Sequence, residues 1–419
     1  MCTDRAGAGG GWRVMVYVPV PFNRLQIGKP LPVDIWTPDG RLLLRRGQIL
    51  QSLSHRDMLA AHHACTTEAD SRAWLRSMER SMRSMRAAGV DMAVISRAPM
   101  PHEILDTDYL EGSGVDGGWL DLQEVLRSLL YQGAEATNPL PRLQGLEEKA
   151  MALLRHDPDE ALFVLFQALP DLNLGYCATQ ALLAGVVCAL AADKMAHSEE
   201  SPSLLLRSAM VMNIGMARPQ DSLTRQYQPP DPNQRQIIVA HPPTSTDILR
   251  GFGIFDEEVL GVVNWHHAPE QAPLVAEDLT RLRLLNLADG LIAKMAPRVS
   301  RPAMVPLGAT KMLLLENNPG TTDLRHAIAA TLGFYPPGSF VQLANGEIAV
   351  VIKRGNRANT PHVASIMNVK GIPLSAYVYH DTAFPRNAGF VVRAPVPGKS
   401  VNVRISLEKV RRLRQQHGV

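Results

Sequence analysis

From residue 12 to about residue 50, short apolar runs alternate with turn signals. Val33-Asp34-Ile35-Trp36 and Arg41 to Leu44 flank Pro38-Asp39-Gly40, which predicts a β-hairpin inside a small β unit over 12–69. The texture then changes. Arg72, Arg76, Arg80, Arg83 and Arg86 recur at spacings of three and four, and Trp74, Leu75, Met78, Met82 and Met85 keep the same period. That pattern predicts an amphipathic helix with one basic face. The face suits an anionic partner or membrane surface, and it equally suits a packed connecting helix with a solvated side. Pro99, Pro101 and the run EGSGVDGG place a linker after it, so 70–118 reads as helix plus linker.

From 119 to 333 the apolar period is helical almost throughout. Asp121 to Tyr131, a helix opened by Pro158, Leu174 to Met195, Leu204 to Ile214, Gln234 to Leu249, Glu257 to His267 and Val275 to Met295 are the predicted elements. Two further helical stretches flank Asn317-Asn318-Pro319-Gly320. Pro242 and Pro243 inside the fifth helix predict a kink or a restart. After Gly333 the period returns to two. Ser339 to Leu343 and Glu347 to Ile352 flank Ala344-Asn345-Gly346, a strong hairpin signal. Val363 to Val369, Ala376 to Tyr379 and Gly389 to Ala394 predict more strands, and Leu407 to Gln416 a basic helical tail with a solvated end. The predicted fold is mainly α: a helical bundle over 119–333, flanked by β units at 12–69 and 334–419.

Composition narrows the classes. A hydrophobic fraction of 46% over 419 residues fills sizeable cores and excludes a mainly disordered chain. A net charge of +3 argues against a dedicated nucleic-acid binder. Four cysteines exclude a disulfide scaffold. Cys177 and Cys188 fall in one predicted helix, about 16 Å apart along its axis, too far to bridge. The longest apolar run, Ala181 to Ala192, is shorter than the roughly twenty residues a bilayer crossing needs. Met1 to Gly11 contains no apolar signal-peptide core. The expectation is a cytoplasmic protein with no membrane span.

Among thirteen histidines, three stand out. His241 precedes Pro242-Pro243, His266-His267 follow 25 residues later, and Asp289 another 22 beyond. Histidines and a carboxylate projecting from several helices into one bundle are how helical proteins build metal sites. Imidazole nitrogen with carboxylate oxygen suits iron, manganese or zinc. Paired histidines also serve as capping or surface groups, and spacing alone does not choose. No P-loop, GxGxxG or GxSxG motif appears; Gly112-Ser113-Gly114 matches none of them. His62-His63 have no fourth ligand nearby in the sequence.

The order of these motifs resembles the HD-GYP family, the metal-dependent cyclic di-GMP phosphodiesterases of the HD superfamily. His241-Pro242 falls on the family's His-Pro motif, His266-His267 on its His-His motif, and Leu287-Ala288-Asp289 on its downstream Asp. The flanks PFNRLQIGKPLPVDIWTPDGRLLLRRGQIL and YPPGSFVQLANGEIAVVIKRG resemble members from β-proteobacteria. The resemblance implies an HD-domain-like helical bundle and a metal set of His241, His266, His267 and Asp289.

The departures matter as much. Met212 and Asn213 stand where the family has His and Asp, and Met216 stands where it has Lys. Gln180 falls near the family's first-helix His. No Gly-Tyr-Pro follows His267, and Tyr335-Pro336 lies too far on to serve. Asn is neutral and bridges two metal ions poorly, and Met offers only a soft thioether to a hard ion. The expectation is therefore a degenerate, non-catalytic signalling protein. It keeps one ion, iron or manganese, or none. Its implied partners are cyclic di-GMP or diguanylate-cyclase domains. The alternative is a metal-dependent phosphodiesterase with an altered site.

Overall fold

The computed structural model describes residues 17–104 and 118–419, apart from 23–24, 39–40, 89, 96, 196–197, 199, 317 and 384–387. The start of the chain with Cys2, the tip of the first hairpin at Asp39-Gly40, Asn317, and the linker run with Gly112-Ser113-Gly114 lie outside the described residues. Two compact units divide the chain, 1–115 and 116–419. The four segments expected from pattern are thus gathered into two, with the C-terminal strands in one unit with the helices.

In the first unit the strands are β1 (Tyr17–Pro19), β2 (Ile35–Trp36), β3 (Leu42–Leu44) and β4 (Cys65–Thr67), with α1 (Leu53–Ala61), α2 (Glu68–Ala87) and α3 (Met92–Ile95). The sheet is antiparallel with order β1-β4-β2-β3. The β2–β3 pairing is the predicted hairpin. Helix α2 begins where Thr67 Oγ1 accepts from the Asp70 N–H. It buries Ala73, Trp74 and Met78 against Val33, Ile35 and Leu50. Part of the expected linker joins that core: Ala98, Met100 and Ile104 are buried there, and the Trp74 indole donates to the Pro101 carbonyl at 2.7 Å.

The second unit is mainly helical. Its helices are α4 (Trp119–Gln132), α5 (Pro139–His156), α6 (Pro158–Ala168), α7 (Tyr176–Lys194), α8 (Ser201–Val211), α9 (Ala217–Thr224), α10 (Pro232–Gly251), α11 (Glu257–Trp265), α12 (Ala276–Met295), α13 (Pro306–Leu315) and α14 (Thr322–Leu332). Strands β5 (Phe340–Leu343), β6 (Ile348–Lys353), β7 (His362–Met367), β8 (Pro373–Asp381) and β9 (Val392–Val396) follow, then α15 (Leu407–His417).

Helix α7 is the axis of this unit. It is apolar all round and packs on α4, α6, α8, α12 and α14. By length and composition it could cross a membrane, but 89% of that window is buried inside the protein. Gly185 lets α8 approach, since a Cβ there would sit 2.7 Å from Leu206 Cδ1. The α7 N-terminus is held by Asp221 of α9, whose carboxylate accepts the Cys177 N–H at 2.6 Å and the Tyr131 hydroxyl. Helix α10 runs through Pro242 and Pro243 as one element, so of the kink or restart expected there it has no restart.

The C-terminal sheet is antiparallel with order β8-β7-β6-β5-β9. Strand β6 shows period two: Val350 and Ile352 face the main core, while Ala349 and Val351 face a smaller cluster with Val341, Leu343 and Val363. The sheet is tied to α6. Arg354 Nε donates to Asp159 at 2.6 Å, and Gly338, at φ 89°, passes so close that a Cβ would meet the Phe163 carbonyl at 2.6 Å. The basic tail is solvated on one face, where Lys409 and Arg412 are exposed, and packed on the other. Val410 is buried, and Arg411 and Arg414 of α15 pair with Glu160 and Asp157 at the start of α6. Acidic groups gather there because a helix N-terminus favours negative charge, and the tail's arginines complement them.

Candidate metal centre

Helices α10 and α11 of the second unit bring the sequence-predicted histidines together. His241 sits in the middle of α10, His266 caps the C-terminus of α11, and His267 follows it. His241 and His266 are buried and His267 is exposed. The ligand-capable atoms of the three lie within 4.8 Å of one another. The ring centroids are 5.0 Å (His241–His266), 5.1 Å (His241–His267) and 4.1 Å (His266–His267) apart.

The protonation of the two buried rings follows from their partners. Each Nδ1 lies 2.6 Å from a backbone carbonyl, Ile238 for His241 and Val263 for His266. A carbonyl only accepts, so both Nδ1 atoms carry the hydrogen. Burial lowers the pKa of His241 to about 4 and that of His266 well below the usual imidazole range. Both rings are therefore neutral at pH 7, and both Nε2 atoms present lone pairs. Those atoms face each other at 3.1 Å. Two lone pairs so placed repel unless a cation lies against both.

One carboxylate oxygen is engaged by an amide. Asp289 of α12 is buried, and its Oδ1 accepts from the Gln180 amide of α7. It stands outside the three-histidine set. Burial raises its pKa, while His267, Gln180 and Arg298 act in the opposite sense. The Asp289–Gln180 contact orients a chain of amides. Asp289 takes Gln180 Nε2, so Gln180 Oε1 must accept, and it receives Asn213 Nδ2 and Gln220 Nε2, each at 3.3 Å. The far oxygens, Asn213 Oδ1 and Gln220 Oε1, are left buried without a hydrogen-bond partner.

The methionines do not line the histidine cluster as ligands. Met212 is fully buried in the main apolar core, and Met216 is buried in the turn that follows. That turn is pinned to α10 by Ser245, which donates to the Met212 carbonyl at 2.9 Å and accepts the Gly215 N–H at 3.0 Å. Gly215 is required by proximity: a Cβ would lie 2.8 Å from the His241 carbonyl. Sequence reading missed Gln220, Ser245 and Asn286, whose amide donates to the His266 carbonyl at 2.7 Å. Ser245 could have been found, since it stands four residues after His241 on the same helix face.

The donor set fits one ion and not two. Nitrogen ligands at about 2.0–2.1 Å from a metal stand roughly 3 Å apart, which the 3.1 Å Nε2 pair matches. A second ion would need an anionic bridge. Asn213 is neutral, and Oδ1 of the Asp289 carboxylate accepts from an amide.

No family model matches this chain, and no curated protein matches it. Among solved structures it is similar to Bd1817, a HDG"Y"P protein from Bdellovibrio bacteriovorus, with a TM-score of 0.40 and 15% identity. The match covers 76% of this chain and 99% of that one.

Proposed function

We propose that this chain is a degenerate HD-GYP-like signalling protein in a cyclic di-GMP setting, acting by binding the nucleotide or a partner such as a diguanylate-cyclase domain, without hydrolysis. The observation that carries the reading is the amide chain Asn213–Gln180–Asp289 beside the histidines. Phosphodiester hydrolysis by a metal pair needs two cations a few ångströms apart, an activated water and a bridging anion that offsets their repulsion. Amides supply hydrogen bonds there but no charge. His241, His266 and His267 would hold a single ion, which would supply Lewis acidity. The surroundings are fixed by packing: Ser245 holds the turn at Gly215, and the Met212 side chain lies in the apolar core.

The convergent Nε2 atoms favour one second reading, a phosphodiesterase with an altered single-ion site. The two readings separate in one assay. Purified full-length protein with iron or manganese should show no cyclic di-GMP turnover above buffer, while the nucleotide raises its Tm. Turnover that disappears on His266→Ala would overturn the non-catalytic reading.

A further inference from the structure

Both buried histidines lean on a carbonyl three residues earlier. In an α-helix the carbonyl of residue i is normally taken by the N–H of residue i+4. For Ile238 that residue is Pro242, which has no N–H. For Val263 the helix ends at Trp265, so its carbonyl is among the last four that lack a helical donor. Two unlike devices, a proline within a helix and a helix terminus, leave a free acceptor in the same relation to a histidine.

We propose that Pro242 is a positioning residue: its missing N–H reserves the Ile238 carbonyl for the His241 ring, and so fixes Nε2 as the lone-pair atom that faces His266. Interior prolines cost a helix about 3 kcal/mol, so one that stands directly after a cluster histidine calls for a function. Its neighbour is the internal control. Pro243 frees the Val239 carbonyl, but the residue three beyond Val239 is Pro242, which has no ring nitrogen to use it. Pro243→Ala therefore relieves the same helix defect without touching the carbonyl that His241 uses.

Orienting a ligand imidazole through its other nitrogen is a general way of holding a metal site, and losing such a support costs about tenfold or more in metal affinity. The inference deepens the single-ion reading and rests on it only for the ion. The tautomer can be read without metal.

The test is imidazole nitrogen NMR on chelator-treated full-length protein at neutral pH, followed by cobalt or zinc titration. In the wild type, His241 and His266 should both be in the Nδ1–H form. In Pro242→Ala, the restored N–H competes for Ile238, and His241 should shift toward the Nε2–H form while His266 stays unchanged. Pro243→Ala should resemble the wild type. Pro242→Val restores the same N–H with more side-chain volume and serves should the alanine variant fold poorly. An unchanged His241 tautomer in Pro242→Ala and Pro242→Val, or an equal shift in Pro243→Ala, overturns the proposal. Metal affinity should fall about tenfold in Pro242→Ala alone. A tautomer shift in a protein whose wild type binds no metal supports the positioning role and removes the single-ion reading.

Discussion

Gln180→Leu should destabilise the protein by about 2–4 kcal/mol, among the largest effects of any single substitution near the cluster. The variant removes the amide that donates to the buried Asp289 carboxylate. It also removes the acceptor shared by Asn213 and Gln220. Three buried polar groups lose a partner at once, and each unmade bond carries a desolvation cost. Urea unfolding at neutral pH measures it. A loss below about 0.5 kcal/mol would mean that the amide chain does not hold these helices together.

Chelator-treated protein should lose stability steeply as pH falls from about 6.5 to 4. The folded pKa of His241 is lowered to about 4 by burial, below the unfolded value near 6.5. Between those limits the unfolded chain binds a proton that the folded chain does not. Stability is therefore full above the unfolded pKa and is lost as pH drops through the window. The shift corresponds to roughly 3 kcal/mol for His241 alone, and His266 acts in the same direction. His241→Phe, which fills the site with an apolar ring, should flatten the profile. Equal slopes in the two proteins would show that His241 is not the group responsible.

How much of this was legible beforehand depended on whether the cause was local. Helix α7 could be read from its apolar run, and the β5–β6 hairpin from Asn345-Gly346, because both are set by neighbours in sequence. Helix α9 was not read: Ala217–Thr224 contains one leucine and no apolar stripe, and its Asp221 acts by capping a different helix. Gln220 was missed with it. Helix α5 was overlooked although Leu143, Leu146, Met151 and Leu154 keep a helical spacing. Strand β9 pairs with β5 rather than with β8, a long-range choice that no local pattern encodes.

The three histidines were legible by order and spacing, and the structure brings them together. Asp289, expected as a fourth ligand, accepts at Oδ1 from Gln180, a residue 109 positions away. Only the packing of α7 against α12 brings the two together. The same holds for the ion pairs of the basic tail, whose partners Glu160 and Asp157 lie far off in sequence.

The central proposal is that three histidines of this bundle hold a single ion beside amides that offer no bridging charge. Metal analysis of the full-length protein after anaerobic loading with excess iron or manganese tests it directly. The account predicts one ion per chain, lost in His266→Ala and retained in Asp289→Asn. Two ions per chain, or none, would contradict it.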